Sequence, residues 1–205
     1  MIKFAIVGTG IIGKSHIAAL SKIDDAKLVA LCDIDEASVS NLAKENGVPY
    51  FTDYHDIPKK VECDAVILNL PHGLHAESTV FFLNSGINVL IEKPMANTVS
   101  ECEAMLYAAK KSGKHLAVAH PQRHFGAIAK IKEIFDSNKL GKFCMCTGQR
   151  SIDYFKEERP RWFLSKKLAG GGIVMNYGAH ELDKLQYITQ ERVSEIYSSY
   201  DNFKT

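Results

Sequence analysis

The 205-residue chain is predicted to be α/β: a doubly wound parallel sheet followed by a partial α+β second domain. Three observations lead there. Short apolar runs alternate with amphipathic stretches through the first 120 residues. A glycine-rich turn joins the first run to the first amphipathic stretch. Beyond residue 120 the alternation stops.

The apolar runs are Phe4–Val7, Leu28–Leu31, Ala65–Leu70, Val89–Ile91 and Leu116–Ala119. Near-continuous runs of this length suit strands covered on both faces, as in parallel sheets. Between them, residues 11–21 place Ile12, Ala19 and Leu20 on one side. Residues 36–46 end at Asn46-Gly47, a helix stop, and residues 74–85 end at Gly86. Residues 99–112 open with Thr98 and Glu101 at capping-box spacing and close at Gly113. Repeated strand–helix–strand order implies right-handed crossovers and a doubly wound sheet. The second part reads as a helix over 124–137, with Ile128, Ile131, Ile134 and Phe135 on one face. A strand over 142–152 and an irregular charged stretch over 153–172 follow. A helix over 179–189 and a strand over Val193–Tyr200 complete it. The expected boundary separates a doubly wound α/β domain over 1–120 from an incomplete α+β domain over 121–205.

Charge and composition exclude several classes. Lys and Arg total 25 against 24 Asp and Glu, so the basic excess of a nucleic-acid binder is missing. No stretch approaches the roughly 18 apolar residues of a membrane span. The N-terminus runs directly into the glycine turn without the apolar region and cleavage site of a signal peptide. Five cysteines, an odd number with no C-x-x-C pair, argue against a disulfide framework or a zinc knuckle, so no metal is expected. Cys144 and Cys146 alternate in a strand-like run and are expected to pack on one face. A reducing cytoplasm is the expected compartment. The chain is long enough to bury a core without a disulfide or metal staple.

Gly8-Thr9-Gly10-Ile11-Ile12-Gly13 is a G-x-G-x-x-G turn in the required context, directly after a strand and opening a helix. Gly8 permits the tight turn, Gly10 the approach of backbone to a pyrophosphate, and Gly13 close helix packing. The free N–H groups at Ile11 and Ile12 then face the phosphates. This is the Rossmann fingerprint. Asp33 closes the second strand 20 residues after Gly13. Its carboxylate accepts hydrogen bonds from both ribose hydroxyls of NAD and repels the 2′-phosphate of NADP. Ile34 beside it supplies no cation, so NAD is expected rather than NADP.

Ligands of open α/β sheets bind outside the carboxyl ends of the strands. Pro71, His72, His75, Glu92 and Lys93 follow strand ends and are expected to line that crevice with Gly8 and Asp33. Lys93 suits a substrate oxygen, stabilising negative charge as it develops. On spacing alone, Glu92-Lys93-Pro94 equally fits a solvated turn, and His75 a helix start. If the stretch around His180 is helical, Asn176, His180, Asp183 and Tyr187 fall on one face. An imidazole is a suitable proton acceptor near neutral pH, although His180 also reads as a structural histidine.

Together these segments resemble the Gfo/Idh/MocA family of nicotinamide-dependent oxidoreductases. The matching pieces, in the family's order, begin with the glycine turn with Lys14-Ser15-His16 and Pro71-His72-Gly73-Leu74-His75-Ala76-Glu77. Glu92-Lys93-Pro94-Met95-Ala96 and Gln122-Arg123-His124-Phe125 follow. The last is the triple-glycine stretch ending in Gly178-Ala179-His180-Glu181-Leu182-Asp183. The resemblance implies a dinucleotide-binding domain paired with an α+β domain whose open sheet often mediates oligomers. It also implies oxidation or reduction of hydroxyl or carbonyl groups, commonly on sugars, polyols or their derivatives. Lys93 is implied as a catalytic residue, often with a cis bond to the following proline, and His180 as the proton acceptor or donor. The expected reaction passes hydride between a carbinol carbon and the nicotinamide, His180 taking the hydroxyl proton and Lys93 steadying the oxygen. Substrate contacts are expected from Arg123, Tyr154, Arg161, Trp162 and Asp183.

Two departures qualify the resemblance. Many members carry Asp where this chain has Asn176, which can orient an imidazole through its carbonyl oxygen but adds no charge. The second domain is also short, with 85 residues after residue 120, whereas domains typically hold ~100–150. A one- or two-strand sheet is not independently stable, so its edge is expected to be exposed and covered in a homo-oligomer. Two other functions fit the same features: NAD binding with little or no turnover, and NAD-assisted glycoside cleavage.

Overall fold

The computed structural model describes residues 1–153 and 159–199. Six parallel strands form one sheet in the order β3-β2-β1-β4-β5-β6. They are β1 (Ile2–Val7), β2 (Ala26–Cys32), β3 (Tyr50–Phe51), β4 (Ala65–Leu68), β5 (Asn88–Glu92) and β6 (Leu116–Ala119). Between them lie α1 (Ile11–Leu20), α2 (Glu36–Asn46), α3 (Ile57–Lys60), α4 (His75–Asn84) and α5 (Val99–Ser112). The strand order reverses between β1 and β4, which is the switch point of a Rossmann sheet.

The five expected strands are all present, and β3 adds a sixth. Two residues are too few for periodicity to reveal, and β3 forms because Leu31 and Cys32 offer it a ladder. The helix ends follow local chemistry. Thr98 and Glu101 complete the expected capping box of α5, and Gly113 ends that helix in the left-handed region at φ +67°. Asp35 caps α2 through Ser38 N–H, and Gly47 closes it at φ +65°. The core packs on both faces of the sheet. Val7, Val66, Leu68, Ile91, Phe82 and Met105 lie in one cluster, and Ile6, Ile17, Leu31 and Ile67 in the other.

The chain divides into two compact units and passes between them three times. The first unit holds Met1–Ala119 and takes back Asp153–Asn176; the second holds His120–Ile152 and Tyr177–Thr205. Within the first, α7 (Lys166–Ala169) buries Ala169. The second contains α6 (Gly126–Asp136) and α8 (Ala179–Thr189), packed on each other.

Two expectations fail in the second unit. Residues 142–152 and 193–199 form no strand among the described residues. A strand persists only when its N–H and C=O groups find a ladder partner, and neither segment has one among the described residues. Cys144 and Cys146 are accordingly exposed rather than packed. α6 is amphipathic as expected but buries none of its residues.

Candidate active site

The glycine turn sits at the switch point. Gly8 has φ +86°, and a Cβ there would lie 2.4 Å from the Asn69 carbonyl oxygen. A Cβ on Gly13 would lie 2.1 Å from Gly8 O. These two glycines let β1, β4 and α1 close on one another. Gly10 differs, because a Cβ there would meet nothing within 4 Å. It is the N-cap of α1 and offers no side-chain cap, so the first-turn N–H groups at Ile11 and Ile12 face outward beside open space. Ile11 and Ile12 are exposed, and Asn69 Oδ1 is buried at the switch point with no hydrogen-bond partner among the described residues. Uncapped N–H donors beside an open Cβ position fit the pyrophosphate of a dinucleotide.

Asp33 ends β2 beside this turn. Thr9 donates to its Oδ2 from both backbone N–H (2.7 Å) and hydroxyl (3.0 Å), and Asp35 N–H donates to Oδ1 at 3.1 Å. Oδ2 thus accepts two hydrogen bonds and Oδ1 one, so the clamp orients Asp33 while leaving Oδ1 room for a ribose hydroxyl. Neighbouring Ile34 is 92% exposed.

Glu92 ends β5. Its Oε1 lies 3.1 Å from His16 Nε2 on α1, and its Oε2 accepts from Lys93 N–H at 3.3 Å. The Lys93–Pro94 peptide bond is cis, as the resemblance implied. Lys93 Nζ donates to both oxygens of Asn176, at 3.0 Å to the backbone carbonyl and 2.5 Å to Oδ1. Asn176 is buried and belongs to the first unit, as Lys93 does.

This pairing corrects one expectation. Asn176 was expected to orient His180, but its side-chain oxygen is taken up by Lys93. Val174–Gly178 form a π-turn before α8 begins at Ala179, and the wider turn breaks the 3.6-residue register. π-turns inside helices frequently accompany functional sites. His180 lies in the first turn of α8, its ring 6.5 Å from that of Tyr177.

His75 and His72 are also placed differently. His75 is fully buried, with Nδ1 2.8 Å from Pro94 O and Nε2 2.8 Å from Leu70 O. It braces the ends of β4 and β5 and cannot itself touch a cofactor. His72 is buried with Nδ1 3.1 Å from Ala169 O, and its ring meets Trp162 edge-on at 4.9 Å. Burial lowers its pKa to about 4 and moves that of His75 in the same direction. Pro71 precedes the short turn His72–Leu74.

In the second unit, two expected substrate residues bind each other. Arg123 Nε donates to Asp183 Oδ1 and Oδ2 at 3.1 and 2.9 Å, and Nη2 also reaches Oδ1. The guanidinium lies over Tyr187, 5.3 Å from the ring centre. Asp183 is buried with His120 Nδ1 at 3.5 Å. A buried carboxylate needs its cation, so this pair ties the turn after β6 to α8. Trp162 is half-buried and stacks on Phe163 at 3.7 Å. Tyr154 lies outside the described residues.

Sequence reasoning gave no role to Thr9, His16 or Asn69. Thr9 occupies a variable motif position and leaves no signal. His16 stands inside the quoted motif, but its partner Glu92 is 76 residues away, a pairing only the fold creates.

A model for an oxidoreductase family with an NAD-binding Rossmann fold matches residues 2–120, and a Gfo/Idh/MocA C-terminal domain model matches residues 128–205. The protein belongs to the Gfo/Idh/MocA oxidoreductase family. It is 32% identical over 175 residues to a 1-carboxy-3-chloro-3,4-dihydroxycyclohexa-1,5-diene dehydrogenase of Comamonas testosteroni, covering 85% of this chain and 44% of that one. It is 30% identical over 154 residues to the inositol 2-dehydrogenase of Salmonella typhimurium, covering 72% and 45%. Among solved structures, the WlbA dehydrogenase of Chromobacterium violaceum, crystallised with NADH and UDP-GlcNAcA, superposes with TM-score 0.80 at 28% identity. That match covers 91% of this chain and 55% of that one. The myo-inositol 2-dehydrogenase of Lactobacillus plantarum gives TM-score 0.80 at 26% identity, covering 92% and 56%. The chain spans about half the length of the relatives it matches.

Proposed function

We propose that the protein is an NAD-dependent dehydrogenase acting on the CH–OH carbon of a sugar, polyol or derivative. The observation that carries this reading is the Lys93–Asn176 pair at the end of β5, on the sheet edge that also bears the Gly8–Gly13 turn. Relatives named as inositol dehydrogenases and a sugar-nucleotide complex support the substrate class.

The Gly8–Gly13 turn and the N–H groups of Ile11 and Ile12 would hold the pyrophosphate, Asp33 the adenine-side ribose, with Pro71 and Glu92 flanking them. NAD, when bound, supplies the hydride acceptor. Lys93 donates a hydrogen bond to the substrate hydroxyl oxygen and stabilises its charge as the proton leaves. Asn176 fixes the direction of the ammonium by occupying two of its three N–H donors. His180 accepts the hydroxyl proton at an imidazole nitrogen, and the reverse reaction uses the same groups. The Asp33 carboxylate, flanked by exposed Ile34 rather than a cation, favours NAD over NADP. The same reading includes a homo-oligomer and a reducing cytoplasm, where the five free cysteines would stay reduced. Among the described residues, no helix is long and apolar enough to cross a membrane.

The test is NADH formation across a panel of polyols and sugars led by myo-inositol, with NAD and NADP compared. Turnover at least ~10-fold better with NAD is expected, since a like-charge juxtaposition at a binding contact costs more than the ~1.4 kcal/mol of one decade. Asn176→Asp would put a carboxylate on the Lys93 ammonium and move the alkaline limb of the kcat profile up by about one pH unit. An unchanged profile removes Asn176 from the catalytic set. Tight NAD binding with no NADH from any substrate would favour a binding protein. Release of aglycone without net NADH would favour glycoside cleavage.

A further inference from the structure

The segment ending in Asn176 returns to the first unit after a 33-residue excursion through the second, His120–Ile152. Its return is held at a small seat beside the ends of β4 and β5. His72 Nδ1 faces Ala169 O at 3.1 Å, and Asn97 Nδ2 donates to Lys167 O at 3.3 Å. Trp162 packs edge-on against the His72 ring. Two glycines permit the approach. A Cβ on Gly73 would lie 2.5 Å from Lys167 O, and one on Gly170 would lie 2.5 Å from Asn97 Oδ1. Gly73 lies within the short helical turn His72–Leu74 and has no positive φ. Its own backbone therefore accepts alanine, and what excludes a side chain there is the docked segment.

We propose that His72, Gly73 and Asn97 form a seat for the segment Arg161–Asn176, and that docking in this seat is what sets Asn176 against Lys93. His72 and Gly73 are positioning residues that act through the segment. Five residues separate the anchored Ala169–Gly170 from Asn176, and the π-turn Val174–Gly178 spans the end of that stretch. Displacing the anchor moves the carbonyl oxygens that direct the ammonium. The consequence for turnover rests on reading Lys93 as the donor to the substrate oxygen. The consequence for docking does not.

Trp162 is the chain's single tryptophan and lies inside the docked segment, so its emission reports docking directly. In Gly73→Ala, the emission is expected to shift to the red and acrylamide quenching to rise about twofold. NAD affinity measured by calorimetry should stay within about twofold of the parent, because the Gly8–Gly13 turn is untouched. Turnover of myo-inositol with NAD should fall at least tenfold. Unchanged emission and quenching overturn the seat. Shifted emission with unchanged turnover overturns the positioning role. If Gly73→Ala loses its far-ultraviolet dichroism, a second pair decides. His72→Asn keeps a side-chain N–H where Nδ1 stands and should stay close to the parent, whereas His72→Leu loses it and should behave as Gly73→Ala was expected to. Equal effects of Asn and Leu overturn the assignment. A parent chain that binds NAD but turns over nothing fails the functional reading, while the emission readout still decides docking.

Discussion

Gly10 and Gly13 stand three residues apart in one turn, yet an added methyl group meets opposite surroundings at the two positions. At Gly13 it would strike the Gly8 carbonyl at 2.1 Å; at Gly10 it would project into open space. Gly13→Ala is therefore expected to cost about 1–3 kcal/mol by overpacking and to weaken NAD binding through displacement of α1. Gly10→Ala should cost less than about 1 kcal/mol and yet weaken NAD binding about tenfold or more, because the methyl group occupies the approach of the pyrophosphate. Thermal unfolding and calorimetry on the two variants separate these effects. A Gly10→Ala protein with parental affinity would remove the turn from the cofactor site. His72 gives a second prediction. Its folded pKa of about 4 lies below the ordinary histidine value, so the unfolded chain binds more protons between pH 6.5 and 4. Stability is then lost as pH falls through that window, by at most about 3 kcal/mol from this residue. His75 shifts in the same direction. In His72→Asn, the decline in the urea midpoint from pH 6.5 to 4 should be shallower. An equally steep decline would show that His72 is not held neutral by burial.

At the scale of the element, pattern and partner part company. The strands β1, β2, β4, β5 and β6 were legible because each is an apolar run bounded by turn chemistry. The capping box of α5 was legible because capping is local, with Thr98 and Glu101 three residues apart. Residues 142–152 and 193–199 carry strand-like patterns too, but a pattern becomes a strand only against a neighbour. The same limit applies to the π-turn at Val174–Gly178, since helical periodicity assumes a register that one wider turn destroys. Hydrogen exchange makes the contrast measurable. Amides of β1, β4 and β5 should be protected at least ~10³-fold over those of 142–152 and 193–199, which lack ladder partners among the described residues. Strong protection in those two segments, rising with protein concentration, would instead show that copies of the chain pair through them.

Over the whole molecule, apolar burial is unevenly shared. Every buried apolar side chain among the described residues belongs to the first unit, and the buried residues of the second are Asp183 and Thr189. The length of the chain suggested a core of ordinary size, and that core lies in the nucleotide-binding unit. The expected boundary near residue 120 marks where the chain first leaves that unit. The return at Asp153–Asn176 went unseen, because an irregular stretch rich in charge and glycine gives no periodic sign of what it packs against. Arg123 and Asp183 show the same limit at the site. Both are polar residues in suggestive motifs, but which one faces a ligand and which one faces the other depends on how α8 lies against the turn after β6.

The sequence by itself determined the sheet, the glycine turn, the carboxylate at the end of β2 and the family, because each rests on residues close in the chain or on periodicity within one element. Tertiary structure alone decided that Asn176 serves Lys93, that His72 and His75 brace backbone carbonyls, and that His16 meets Glu92. These pairs span 83, 97, 19 and 76 residues. Hydrogen bonds are short-ranged, so a side chain's partner is set by where the backbone brings it, and no local pattern encodes that meeting.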